Sequence, residues 1–134
     1  MKGCEKMNNF DMYKMILEII AEKNPQDFQE LLDQSQHYQA IKDYIASDNP
    51  NQFLIQSMQN MVIGMINDGL ISGIISPLKY VTLIKINGLT ITGFQYLKQL
   101  KQTDTKKQIE EILGNDGSMI TSQSLTKALS QLIF

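Results

Sequence analysis

The sequence predicts a mainly helical protein with one small β-hairpin, an α+β class. Two observations carry that prediction. Apolar residues recur at helical spacing through the first half of the chain, and the period then drops to two over residues 70–86 before helical spacing returns. The chain has 134 residues, of which 43% are hydrophobic and 19% charged, which suits one domain with a core large enough to fold unaided.

The first helix is read in NNFDMYKMILEIIAEKN, where Phe10, Tyr13, Ile16, Leu17 and Ile20 follow helical spacing and Asn9 is the expected N-cap. Asn24-Pro25 is expected to stop this helix and to open the next, with Asn24 as cap, Pro25 in the first turn, and Phe28, Leu31 and Leu32 on the buried side. A third helix over 36–46 places Tyr38, Ile41, Tyr44 and Ile45 together. Asn49-Pro50 repeats the opening device for a long helix to about Asn67, closed by Gly69 in left-handed backbone. Phe53, Leu54, Met58, Met61, Val62, Met65 and Ile66 cover more than half its circumference. The rest is a polar but uncharged stripe of Gln52, Gln56, Gln59, Asn60 and Asn67, interrupted by Ile63.

LISGII and YVTLIKI alternate as strands, with Ser76-Pro77-Leu78-Lys79 as the turn. Val81, Leu83 and Lys85 share one face; Tyr80, Thr82, Ile84 and Ile86 share the other. The run INGLTITGFQYL then passes from strand to helix. Asn87-Gly88 tolerate the positive φ of a sharp turn, Thr90 is placed to cap a helix from Ile91, and Gly93 permits close packing on the hairpin. Phe94, Leu97 and Leu100 are expected to point inward. TKKQIEEIL forms another amphipathic helix ended by Gly114, and GNDGS is a loop. A last helix over about 122–133 has Thr121 as cap, an Ile120–Leu125 staple, and a stripe of Leu125, Ala128, Leu129, Leu132 and Ile133.

Several helices, a long apolar helix, a hairpin and a further helix follow one another in the order of a winged helix-turn-helix with an extra C-terminal helix. The long helix then corresponds to the recognition helix and the hairpin to the wing. The chain also resembles the small bacterial YjcQ-like winged-helix proteins in three blocks: NNFDMYKMILEII, MVIGMINDGLISGI, and LTITGFQYLKQ, the last carrying Leu89, Thr90, Gly93, Tyr96 and Leu97. The resemblance spans residues 7–113 and implies a winged-helix fold and a bacterial, phage or prophage setting, with no catalytic residues. It divides the chain into a leader over 1–6, expected to be disordered, a winged-helix domain over 7–113 and a helical extension over 114–134. Residues 24–50 are longer than the family needs.

Function is bounded more by chemistry that is missing. Cys4 and His37 are the sole members of their types, so no internal disulfide and no Cys/His zinc site can form within one chain. His37 lies in a Gln-rich stretch, the carboxylates are spread along helix faces, and no phosphate-binding glycine loop is present. No enzyme, cofactor or metal is therefore expected. No apolar run approaches the roughly 20 residues that span a bilayer, and a cytoplasmic protein is expected.

The net charge of −2 hides an asymmetry. Residues 1–50 hold five lysines against nine acids, whereas 76–107 hold six lysines against Asp104 alone. DNA binding therefore rests on Lys79, Lys85, Lys98 and Lys101 for phosphates, with Gln52, Gln56, Gln59 and Asn60 for adenine edges. The chain lacks arginine and has a pI near 5.3, so such binding is expected to be weak and steeply salt-dependent. The alternative is a self-associating interaction module that has lost DNA binding, using Met58, Met61 and Met65, or a homodimer through Leu125–Ile133.

Overall fold

The computed structural model describes residues 9–46, 51–113 and 122–133. Along these run α1 (Asn9–Lys23), α2 (Phe28–Ser35), α3 (Gln39–Ala46), α4 (Asn51–Asn67), β1 (Ile71–Pro77), β2 (Thr82–Leu89), α5 (Ile91–Leu100), α6 (Thr105–Leu113) and α7 (Ser122–Ile133). The chain is thus mostly helical with a two-stranded antiparallel hairpin. The expectations for residues 1–6, Asn49-Pro50, Gly114, the GNDGS loop, the Thr121 cap and the Ile120 staple lie outside the described residues.

The hub is α1. Met12, Met15 and Ile19 join Phe10, Tyr13, Ile16, Leu17 and Ile20 in the core, well beyond one stripe. A helix apolar on so many sides needs neighbours on as many, and α1 packs against α2, α4, α5, α7 and β2. Asn9 is its first helical residue rather than its cap. Asn24 ends it at φ 52°, a left-handed conformation that asparagine tolerates.

Asn24-Pro25 does not open α2. Pro25 is buried, and Gln26 and the extended Asp27 lie beside β2 instead. The Ile86 N–H donates to the Gln26 carbonyl at 2.8 Å, and Asp27 bridges Lys85 in antiparallel sense. Ile86 is only 4% exposed, so its amide needs a partner within the protein. The cap of α2 is consequently Asp27, whose Oδ1 accepts the Glu30 N–H at 2.9 Å, while Glu30 Oε1 accepts the Gln26 N–H at 3.0 Å. Residues 36–38 form a turn, so α3 starts at Gln39 and not at 36.

Gly69, at φ 82°, closes α4 as expected. Its N–H donates to the Ile66 carbonyl and that of Leu70 to the Met65 carbonyl, the paired bonds of a Schellman stop. Met65 and Leu70 are both fully buried, so the hydrophobic contact of that motif seats the hairpin on the core. Within the hairpin, Ile71 pairs with Leu89, Ile74 with Lys85 and Ser76 with Leu83. Thr82, Ile84 and Ile86 share the inward face and Leu83 and Lys85 the outward one, whereas Tyr80, expected with the first three, lies in the turn before β2 and is 89% exposed. The strand does not end at Asn87-Gly88. Ser72 pairs with Gly88 and Gly73 with Ile86, which leaves Asn87 as the extra residue of a bulge, and β2 continues to Leu89.

Thr90 caps α5: its Oγ1 accepts the Gly93 N–H at 3.0 Å and donates to the Gly69 carbonyl at 2.6 Å. Gly93 lies so close to Leu70 that an added Cβ would stand 2.1 Å from the Leu70 carbonyl oxygen. With Gly93 turned inward, Tyr96, Leu97 and Leu100 follow it into the core and Phe94 is left 52% exposed. The expected inward Phe94 is corrected on that ground, since adjacent helical residues lie about 100° apart.

Leu125, Ala128 and Leu129 of α7 are buried in the same core as α1, with Leu132 and Ile133 packed against it. The helix meets α1, α4, α5 and α6, so Leu125, Ala128 and Leu129 are covered within their own chain. Tyr13 Oη lies 2.8 Å from Thr126 Oγ1. Burial pushes the Tyr13 phenol well above its ordinary range, with the hydrogen bond opposing. Because the folded value is raised, the associated stability is complete below the unfolded phenol value of about 10 and is lost as pH rises past it. The urea midpoint is expected to fall between about pH 8 and about pH 11, and to fall less in Tyr13→Phe.

Candidate nucleic-acid interface

The amide row is built by helical spacing. Gln52, Gln56 and Asn60 lie four apart on α4 and are exposed, while Gln59 is half-buried beside them. Gln56 Nε2 donates to Asn60 Oδ1 at 3.1 Å, which uses one polar atom of each amide and stiffens the row. No charge stands on α4, so these residues offer donors and acceptors without long-range attraction.

The lysines are less united than their closeness in sequence suggests. Lys79 occupies the hairpin turn, closed by the Leu78 N–H to the Val81 carbonyl at 2.8 Å, with its ammonium 5.4 Å from the Tyr80 ring centroid. Lys85 lies on the outer face of β2. Lys98 is exposed on α5, but Lys101 at its C-cap stands 3.9 Å from Glu22 of α1. Lys106 likewise stands 4.0 Å from Asp11. Half-exposed pairs of this kind add little stability, about 0–1 kcal/mol. They do direct two lysines of the basic segment toward the acidic first helix. Lys79 and Lys85 thus share the hairpin, and Lys101 is held apart from them.

Sequence reasoning missed the apolar character of the hairpin's outer face. Ile74, Leu83, Val81 and Leu78 are each more than half exposed, and Tyr80 is 89% exposed. The signal was present in the alternation, because Val81 and Leu83 share a face with Lys85, a residue that favours water. Two recesses border these elements. One, of about 190 Å³, lies between α2, α3 and the start of α4 and is lined by Leu32, Ile41, Ile45, Leu54 and Met58 among others. Another, of about 480 Å³, is lined by Gln26–Gln29 and Val81–Lys85.

His37 is exposed in the turn before α3, and Cys4 lies outside the described residues. Among the described residues no cluster of three or more His, Cys, Asp or Glu could hold a metal ion. No described helix is long and apolar enough to cross a membrane. No protein-family model, curated protein or solved structure matches the chain.

Proposed function

We propose that this chain is a winged-helix DNA-binding or regulatory protein without catalysis, with α4 as the helix presented to the major groove and the hairpin as the wing. The observation that carries this reading is the bridge of Asp27 to Lys85. It lies between the first two helices, where winged-helix proteins place a short third strand beside the wing. The order is then helix, bridge, helices, long helix and hairpin. Gln52, Gln56 and Asn60 suit adenine edges, Gln59 less so for being half-buried, and Lys79, Lys85 and Lys98 suit phosphates. Lys101, engaged with Glu22, contributes least.

The test is fluorescence anisotropy on mixed and A·T-rich duplexes at about 50 and about 200 mM salt. Binding is expected to weaken by at least about tenfold over that range if two or more phosphates are contacted, and to be lost in Lys79→Glu/Lys85→Glu. Absence of binding at the lower salt by folded protein refutes the reading.

A second reading has its own support. The exposed Ile74, Leu78, Tyr80, Val81 and Leu83 on one hairpin, with Phe53 69% exposed on α4, suit a self-associating interaction module.

A further inference from the structure

The free edge of the hairpin carries more information than its apolar face. In an antiparallel ladder, residues alternate between those that turn both backbone polar groups toward the partner and those that turn them away. Leu78 bonds to Val81 across the hairpin. Stepping in twos, Ser76 and Ile74 also turn their N–H and C=O toward β2. Gly73 and Ile75 therefore direct theirs to the opposite edge. The other side of the hairpin confirms the parity, because the Ile86 N–H, paired opposite Gly73, points away from β1 to Gln26. Gln26–Asp27 cover the edge of β2, and among the described residues nothing pairs with the edge of β1.

Edge strands are ordinarily guarded by charge, by a bulge or by a covering element. β1 has no charged residue from Ile71 to Pro77, and the bulge lies on β2 at Asn87, so β1 itself is regular. Only Pro77 limits it, at its end.

We propose that two copies of this chain join edge to edge through β1, antiparallel about a two-fold axis at Ile74. The inference rests on the self-association reading and is independent of DNA binding. In this register Gly73 of each copy exchanges backbone hydrogen bonds with Ile75 of the other, using the outward groups. On the outer face Ile74 meets Ile74, and Ser72 meets Ser76 at either side. On the inner face the half-buried Ile75 lies opposite Gly73, so bulk meets its absence on both sides of the axis. The exposed Lys79 end of each strand runs toward the exposed Asp68–Gly69 end of the other, which gives opposite charges at both ends of the contact. A strand of unrelated sequence could satisfy the hydrogen bonds, but this strand is complementary to itself in size and polarity, with opposite charges just beyond its two ends.

Ile74 becomes a non-hydrogen-bonded pair across the axis, where Cα atoms approach to about 4.5 Å, within reach of a disulfide. The experiment uses the full chain with Cys4→Ala. Sedimentation velocity at about 5 and about 100 μM is expected to show a dimer at the higher concentration. Ile74→Lys, at an exposed position, should return the dimer to monomer while leaving the far-UV spectrum unchanged. Ile74→Cys should crosslink under mild oxidation, and Leu83→Cys, which lies on the strand away from the axis, should not. A monomer at both concentrations overturns the inference together with the self-association reading. A dimer that ignores Ile74→Lys and does not crosslink through Ile74→Cys overturns the strand contact alone and leaves self-association through another surface.

Discussion

Replacing Gly93 by alanine is expected to destabilise the protein by about 3 kcal/mol or more, with a fall in Tm on the order of 10 °C. The added Cβ would meet the Leu70 carbonyl oxygen at 2.1 Å and its carbon at 3.1 Å, with Leu89 Cβ at 3.3 Å. Backbone cannot rotate aside as a side chain can. The first turn of α5 would have to lift, and Thr90 holds that turn in place. Its N–H donates to the Leu70 carbonyl at 3.0 Å, while its hydroxyl links the Gly69 carbonyl to the Gly93 N–H. Seating α5 and bonding Thr90 are therefore one event, and a methyl group disrupts both. Gln95→Ala, at an exposed position on the same helix, is the control and should leave the stability within about 0.5 kcal/mol of wild type. A Gly93→Ala protein as stable as that control would show that α5 does not seat against Leu70.

Ending the chain after Leu113 is expected to abolish cooperative folding altogether. Leu125 and Leu129 are 0% exposed and Ala128 1%, and the core they fill is the one that α1, α4 and α5 share. Burial of one leucine side chain contributes about 1.5–3 kcal/mol, against a total stability of about 5–15 kcal/mol for a domain. Two leucines, an alanine and the half-buried Leu132 and Ile133 thus represent a large part of the total. Tyr13, fully buried, would also lose Thr126 as the partner of its hydroxyl. The shortened chain should keep some far-UV helix signal, lose near-UV structure and bind a hydrophobic dye. A sharp, two-state unfolding transition in that chain would instead show that residues 9–113 stand alone and that α7 is an appendage.

The stripe of Leu125, Ala128, Leu129, Leu132 and Ile133 is readable from its period, but a period states only that a face is apolar. What covers that face is a long-range matter, settled here by α5, α6 and α4, with α1 at the margin. The same limit applies at Asn24-Pro25. Local chemistry favours a cap there, yet the unpaired amide of buried Ile86 draws Gln26 and Asp27 into an extended pairing, and the cap moves to Asp27. Phe94 is the third case. Its spacing matches Leu97 and Leu100, but the close approach of Gly93 to Leu70 sets the rotation of the helix and turns Phe94 to the rim.

For the candidate interface, the amide row of Gln52, Gln56 and Asn60 and the pairing of Lys79 with Lys85 on one hairpin were legible, because helical and strand periods fix which residues are neighbours. The diversion of Lys101 and Lys106 toward Glu22 and Asp11 was not, since those pairs join segments far apart in the chain. The sequence by itself determined the order and type of the main helices and strands, which residues share a face of β2, and the Thr90 cap with its Gly93. These depend on periodicity and on local backbone chemistry. Tertiary structure alone decided the pairing of Gln26–Asp27 with β2, the place of α7 in the core, the rotation of α5 and the open edge of β1. Each of these depends on which distant group was left in need of a partner once the local elements had formed.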